Sequence, residues 1–275
     1  MAELTDWIGR TEEHHDVILP RPARFMQATL DRTPSLAEGD ALPPLWHWLY
    51  FLEAVPASGL GRDAHPKRGG FLPPVDLPRR MWAGGRLDFA APLVLGQAAV
   101  KRSTILDVTE KSGRSGPLCF VTVRHEILTG GQVALTEEHD IVYRADPDPA
   151  APAPVPPRAP EGAEVTETVQ PTQVMLFRYS ALTFNGHRIH YDVDYARQVE
   201  GYEGLVFHGP LTATLLADLA TRSLGQPLRR FSFRGTAPLA GMAPFTIAGR
   251  RVEGGMDLWA ARGDGAQAMQ AEARV

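Results

Sequence analysis

The 275 residues carry a formal net charge of -4, with 44% hydrophobic and 22% charged side chains, the balance of an ordinary globular protein. That charge gives no general pull toward nucleic acid or an anionic membrane, so neither is an expected partner. The single cysteine, Cys119, excludes an internal disulfide and any multi-cysteine metal site, which fits a reducing compartment. The opening MAELTD places acids early with no apolar run behind a basic cluster, so it does not read as a signal peptide. No stretch approaches the ~20 apolar residues of a membrane helix, and the expectation is a soluble, cytoplasmic protein.

The length suggests two domains of modest size. In chain order, helices are predicted near 22–31 and 45–54, followed by a Gly/Pro-rich loop, GRDAHPKRGGFLPPVDLPRR, over 61–80. Segments 85–89, 97–110, 118–128 and 131–143 are rich in Val, Ile, Thr and Phe and read as strands. Between them KSGRSGP (111–117) and TGG (129–131) read as hairpin turns. Residues 146–164, DPDPAAPAPVPPRAPEGAE, are crowded with prolines that cannot donate to a helix or a ladder. They read as a semi-extended linker between an N-terminal domain, 1–145, and a C-terminal domain, 165–275.

The second half opens with a strand-like segment at 165–173 that leads into 174–184. A helix is expected at 195–199 and a longer one from Gly209 to about Leu224, then strands at 229–234, 245–252, 256–262 and 266–273. A weak internal repeat links the halves. GRLDFAAPLVLGQAAVKRS (85–103) and SFRGTAPLAGMAPFTIAGR (232–250) each run from a strand through Ala-Pro-Leu and a glycine to another strand, which favours duplication over chance.

The chemistry-bearing stretch is FRYSALTFNGHRIHYDVDYA, 177–196. It gathers Asn185, His187 and His190, followed by Tyr191 and Asp192, with Gly186 favouring a turn. Downstream, FHGPL (207–211) opens the long apolar helix. Proline in the first turn of a helix costs little, and the free amides there can receive a developing oxyanion.

These two elements resemble the signature of the MaoC-like hot-dog hydratases and dehydratases, approximately YSxLTGDxNPxHxDxxYA and HGxL. The resemblance covers most of the second half. It is closest to the branch of mesaconyl-CoA hydratases and type 2 hydroxyacyl-thioester dehydratases, which join a degenerate N-terminal hot-dog to a catalytic C-terminal one. It implies an α+β double hot-dog fold, each half a curved antiparallel sheet around a central helix. The implied activity is hydration of an enoyl-thioester, with a short branched dicarboxylyl-CoA such as mesaconyl-CoA or itaconyl-CoA as the preferred substrate. Dehydration of 3-hydroxyacyl chains on acyl carrier protein or CoA is the alternative.

The sequence departs from the signature at the acid, which falls on Asn185, a side chain that cannot serve as a general base. His190 is then the main proton-transfer group, with Asn185 orienting water and the Gly209 amide stabilising the enolate-like oxygen. His187 either assists proton transfer or caps the loop; His208, Tyr191 and Asp192 are supporting residues with structural roles favoured.

The two histidines of HRIH supply only half of a usual zinc set. The resemblance implies a metal-free reaction, with no cofactor beyond the CoA carried by the substrate. Arg68, Arg79, Arg80 and Arg234 are candidates for CoA phosphates, together with His65, Lys67, Arg229 and Arg230. Arg79, Arg80 or Arg188 are candidates for a substrate carboxylate. A hot-dog thioesterase and a non-catalytic acyl-CoA binding module are the rivals from other classes. Association of the chain with itself is an open expectation.

Overall fold

In a computed structural model, which describes residues 3–113, 116–146 and 155–275, ten antiparallel strands form one sheet. The first half supplies β1 (Thr11–Val17), β2 (Arg79–Phe89), β3 (Ala98–Gly113), β4 (Gly116–Thr129) and β5 (Gln132–Arg144). The second supplies β6 (Val165–Val169), β7 (Arg230–Gly235), β8 (Phe245–Val252), β9 (Gly255–Arg262) and β10 (Gln267–Arg274). Their order across the sheet is β1-β3-β4-β5-β2-β7-β10-β9-β8-β6. Matching each first-half strand to its second-half counterpart makes this order read the same from either end.

The seam lies where β2 pairs with β7, and there the repeat becomes a symmetry. The displacement that carries Ala91-Pro92-Leu93 onto Ala237-Pro238-Leu239 also carries Arg86 onto Ser232. These two residues are direct partners across the seam. The local two-fold therefore passes through that pair. The same displacement relates Leu93 to Leu239, whose carbonyls accept from Leu42 N–H and Phe207 N–H, both at 2.7 Å.

From these matched points the halves diverge. Beyond Phe207 the chain enters α4 (Gly209–Leu224), nine of whose residues are buried, including Leu211, Leu215, Leu216 and Leu219. Burial on all sides marks a core helix, and Ala213, Ala217 and Ala220 let β8, β9 and β10 approach it closely. Each buried leucine contributes roughly 1.5–3 kcal/mol.

Beyond Leu42 the chain meets Pro43 and Pro44 and makes only a single 3₁₀ turn, Trp46–Leu49. The helix expected at 45–54 is not formed, because Leu45 and Phe51 take positive φ of 69° and 58° and bracket the turn. His47 Nε2 lies 2.9 Å from Glu137 Oε2, and Trp48 Nε1–H donates to both Glu137 oxygens at 3.1 Å. The buried turn is thereby pinned to β5, in the place that α4 holds in the other half. Although burial favours a neutral Glu137, the His47 contact holds its carboxyl down at about 2.

Other elements follow or adjust the expectations. α1 (Pro20–Thr29) has proline in its first turn, and α3 (Val193–Gln198) is capped by the Asp192 carboxylate, which accepts from Tyr195 N–H at 3.0 Å. The strand expected over 165–173 stops at Val169, before Pro171. Thr172 Oγ1 then accepts from Met175 N–H at 3.0 Å and starts α2 (Gln173–Leu182).

Within the proline-rich segment, 147–154 lie outside the described residues, as do 114–115 of the β3–β4 hairpin. Beyond 154 the segment docks on the β9–β10 hairpin, where Pro157 O accepts from Gln267 N–H at 2.8 Å. Among the described residues no helix is long and apolar enough to cross a membrane.

Candidate active site

α2 ends at Leu182, and Phe184 follows in a left-handed conformation with φ 48°. That reversal brings Asn185 N–H onto Ser180 O at 2.8 Å. Asn185 Oδ1 accepts from His187 N–H at 3.0 Å, closing an Asx-turn of the kind asparagine favours. A 3₁₀ turn, Arg188–His190, then carries His190 against the strand-like approach to α4, where Val206 N–H donates to Ile189 O at 2.9 Å.

His190 is 7% exposed, and its Nδ1 lies 2.7 Å from the Val206 carbonyl oxygen. A carbonyl only accepts, so Nδ1 carries the proton and Nε2 presents a lone pair. Burial pushes the His190 pKa down to about 4, keeping the ring neutral at physiological pH. A neutral imidazole with a fixed tautomer and a bare Nε2 has the form a general base requires.

The His208 ring stacks on His190 with centroids 3.6 Å apart and an interplanar angle of 18°. Its Nε2 lies 2.9 Å from Ser180 Oγ, and burial holds it well below the ordinary histidine range. His208 is a neutral plate stacked on the His190 ring. Next to it, the exposed Gly209 amide has no acceptor among the described residues, and a Cβ built on Gly209 would meet no atom within 4 Å. An anionic oxygen can approach the positive end of α4 there. At the matched point of the first half, Pro43 and Pro44 offer no amide at all.

The first half contributes to the site through loop 61–66. Asp63 O accepts from Arg188 N–H at 3.1 Å, and Arg62 O accepts from Arg188 Nη1 at 3.2 Å. This docking sets the His65 and His187 rings at 4.3 Å, with His187 and His190 at 5.5 Å. His65 Nδ1 is 2.9 Å from Asp63 Oδ2. Burial pushes His187 down to about 2, helped by its histidine neighbours. Arg80, inward-facing opposite Tyr143, adds its positive charge to the surroundings of both His65 and His187. Among the described residues it has no carboxylate partner within ion-pair distance.

Three of the remaining candidate arginines are engaged by other groups. Arg188 bonds Asp192 Oδ2 through Nε at 3.0 Å and Nη2 at 2.7 Å, and lies 4.1 Å above the Tyr195 ring. Arg79 is buried in an ion pair with Glu200 at 2.7 Å. Arg68 bonds the carbonyls of Val75 and Pro78, both at 2.7 Å. Arg234 projects from the outer face of β7 into a groove of about 680 Å³ across the seam. Tyr191 is exposed. A second hollow, about 450 Å³, is lined by Phe207, Leu239, Phe245 and Arg262. Neither hollow is lined by Asn185, His187 or His190.

Residues 45–241 match the family described as hydroxyacyl-thioester dehydratase type 2. The chain belongs to this family. The mesaconyl-C(4)-CoA hydratase of Chloroflexus aurantiacus is 49% identical over 272 residues, covering 98% of this chain and 97% of that protein. A crystal structure of HtdX from Mycobacterium tuberculosis superposes with a TM-score of 0.67 at 18% identity, covering 96% of this chain and 99% of that one. A second Mycobacterium tuberculosis protein, described as having a double hot-dog fold, gives 0.58 at 15% identity, covering 97% and 95%. The type 2 dehydratase family and the double hot-dog architecture expected from the two motifs are thus both present.

Asp63 carries no signal in sequence. His65 stood out only as one basic residue among several, since its approach to His187 depends on a loop docking from the other half.

Proposed function

We propose that this protein adds water across the double bond of a short, branched dicarboxylyl-CoA, such as a mesaconyl- or itaconyl-CoA, and catalyses the reverse dehydration. The observation that carries the chemistry is the His190 tautomer, fixed by Val206 O at 2.7 Å. In hydration, Nε2 takes a proton from water as the oxygen bonds to the β-carbon. In mesaconyl-C(4)-CoA, where the double bond is conjugated with the thioester, its electrons move onto the thioester, whose oxygen is received by the Gly209 amide. The proton on His190 then passes to the α-carbon, and the ring returns to its neutral state. Each oxyanion donor of this kind lowers a barrier by about 3–4 kcal/mol.

The substrate class rests on the 49% identical relative named a mesaconyl-C(4)-CoA hydratase. A side-chain feature supports it: Arg80, without a carboxylate partner among the described residues, adds its positive charge to the surroundings of His65 and His187. A substrate with a carboxylate on its β-carbon supplies the missing anion. The test is mass-spectrometric hydration of mesaconyl-, itaconyl- and crotonyl-CoA. Gain of one water on the branched dicarboxylates supports the assignment; turnover of crotonyl-CoA alone moves it to a linear acyl substrate, and no hydration of any of them refutes it.

A further inference from the structure

A water that gives one hydrogen to His190 Nε2 needs an acceptor for the other, and Asn185 has only part of its acceptor capacity left. Its Oδ1 already holds His187 N–H at 3.0 Å. A carboxylate reaches the site from the other half of the chain. Asp63 uses both oxygens on His65, one accepting the backbone N–H at 3.0 Å and the other 2.9 Å from Nδ1. With the Nδ1 proton committed to Asp63, His65 Nε2 is left as a bare acceptor. We propose that His65, its tautomer fixed by Asp63, is the second hydrogen-bond acceptor for the attacking water, so that the first half of the chain completes the active centre.

The assignment rests on the hydration chemistry above. Water's proton goes to His190, its oxygen bonds to the β-carbon, and the π pair moves to the thioester. The remaining O–H hydrogen-bonds to His65 and stays on the product, while the proton on His190 passes to the α-carbon. Atoms and charges balance, and both rings end neutral.

The loop is held for this task. Gly61 N–H donates to His65 O at 2.7 Å, and a Cβ on Gly186 would lie 3.3 Å from Ala64 O, so the two loops meet backbone to backbone. Burial of Asp63 alone would raise its carboxyl, yet the bonds from His65 hold it well below the usual carboxylate range. Asp63, His65 and His187 bring one ligand atom each within 4.8 Å of one another. The Asp63–His65 hydrogen bond makes the first two a dyad, and a chelator control separates that from a metal-ligand set.

The experiment compares wild-type, His65→Ala, Asp63→Asn and Asp63→Glu chains in hydration of mesaconyl-C(4)-CoA. His65→Ala is expected to lose about 10²-fold in kcat with little change in KM, part of it restored by added imidazole. Asp63→Asn, acting through His65, loses about tenfold, and Asp63→Glu recovers most of that. A His65→Ala chain of near wild-type kcat overturns the proposal, as does a loss that imidazole does not restore. Wild-type activity abolished by EDTA and returned by Zn²⁺ overturns it too, in favour of metal ligation. A wild-type chain that hydrates no enoyl-CoA brings down the hydratase assignment first; an active wild type with an unaffected His65→Ala brings down only the dyad.

Discussion

Arg79→Met tests whether this arginine belongs to the fold or to the ligand. In the Arg79–Glu200 pair the side chains are 7% and 6% exposed, with Nε 2.7 Å from Oε2. At that separation the gross attraction is about 6 kcal/mol for an effective dielectric of 20. Much of it offsets desolvation of the two charges. Removing one partner is the costly change, about 3–5 kcal/mol, because the other is left buried and unpaired. Tyr195 O–H still donates to Glu200 Oε1 at 3.1 Å, which points to the lower end. At ~2–4 °C per kcal/mol for a chain of this size, a loss of about 3 kcal/mol lowers the melting temperature by about 6–12 °C. Adding Glu200→Gln removes the orphaned charge and is expected to recover at least about 1 kcal/mol. Urea unfolding of the two singles and the double gives each term. A single-variant cost under about 1 kcal/mol, or a double no more stable than Arg79→Met, refutes the reasoning. A raised KM for the CoA substrate at unchanged stability assigns Arg79 to the ligand.

Two further perturbations follow from the site. Gly209→Ala meets no protein atom within 4 Å, so the melting temperature should hold while the added methyl blocks the oxyanion position. A fall in kcat/KM of about 10²-fold is expected, and full activity refutes the placement of the oxyanion. The second perturbation is acid. Burial depresses His190 and His139 to about 4 and His125 to about 3, below the ordinary 6.5. The unfolded chain therefore binds more protons below pH 6.5, so stability is fully present above that value and is lost as pH falls through 4. Melting curves should fall over this window, and the acid limb of kcat/KM should lie nearer 4 than 6.5. A melting temperature constant from pH 7 down to 4 contradicts the buried neutral histidines.

Most of the second half was legible because its signals are local. The run from Gly209 to Leu224 is apolar with a Gly-Pro start and Gly225 at its end, and β8 begins and ends where alternation and turn residues place it. Other elements gave no local signal. β1, TEEHHDV, is polar because it is an edge strand with one solvated face, and lacks the apolar alternation that marks strands. The turn at Trp46–Leu49 looks helical in composition, yet Trp46, His47 and Leu49 are buried around a pinned turn, and two positive-φ residues break the helix. The placement of His190 against the approach to α4, which starts at Gly209, was readable because motif spacing carries it. The Asp63–His65 contact with the 185–190 loop was not, because contacts between loops of different halves leave no periodicity in either.

If His190 is the base, His190→Asn removes it most cleanly, since the asparagine amide takes the place of Nδ1 and can still donate to Val206 O. In hydration of mesaconyl-C(4)-CoA, with folding checked by melting temperature, kcat should drop about 10²–10⁴-fold while KM and melting stay near wild type. A His190→Asn chain that turns over at close to the wild-type rate contradicts that role.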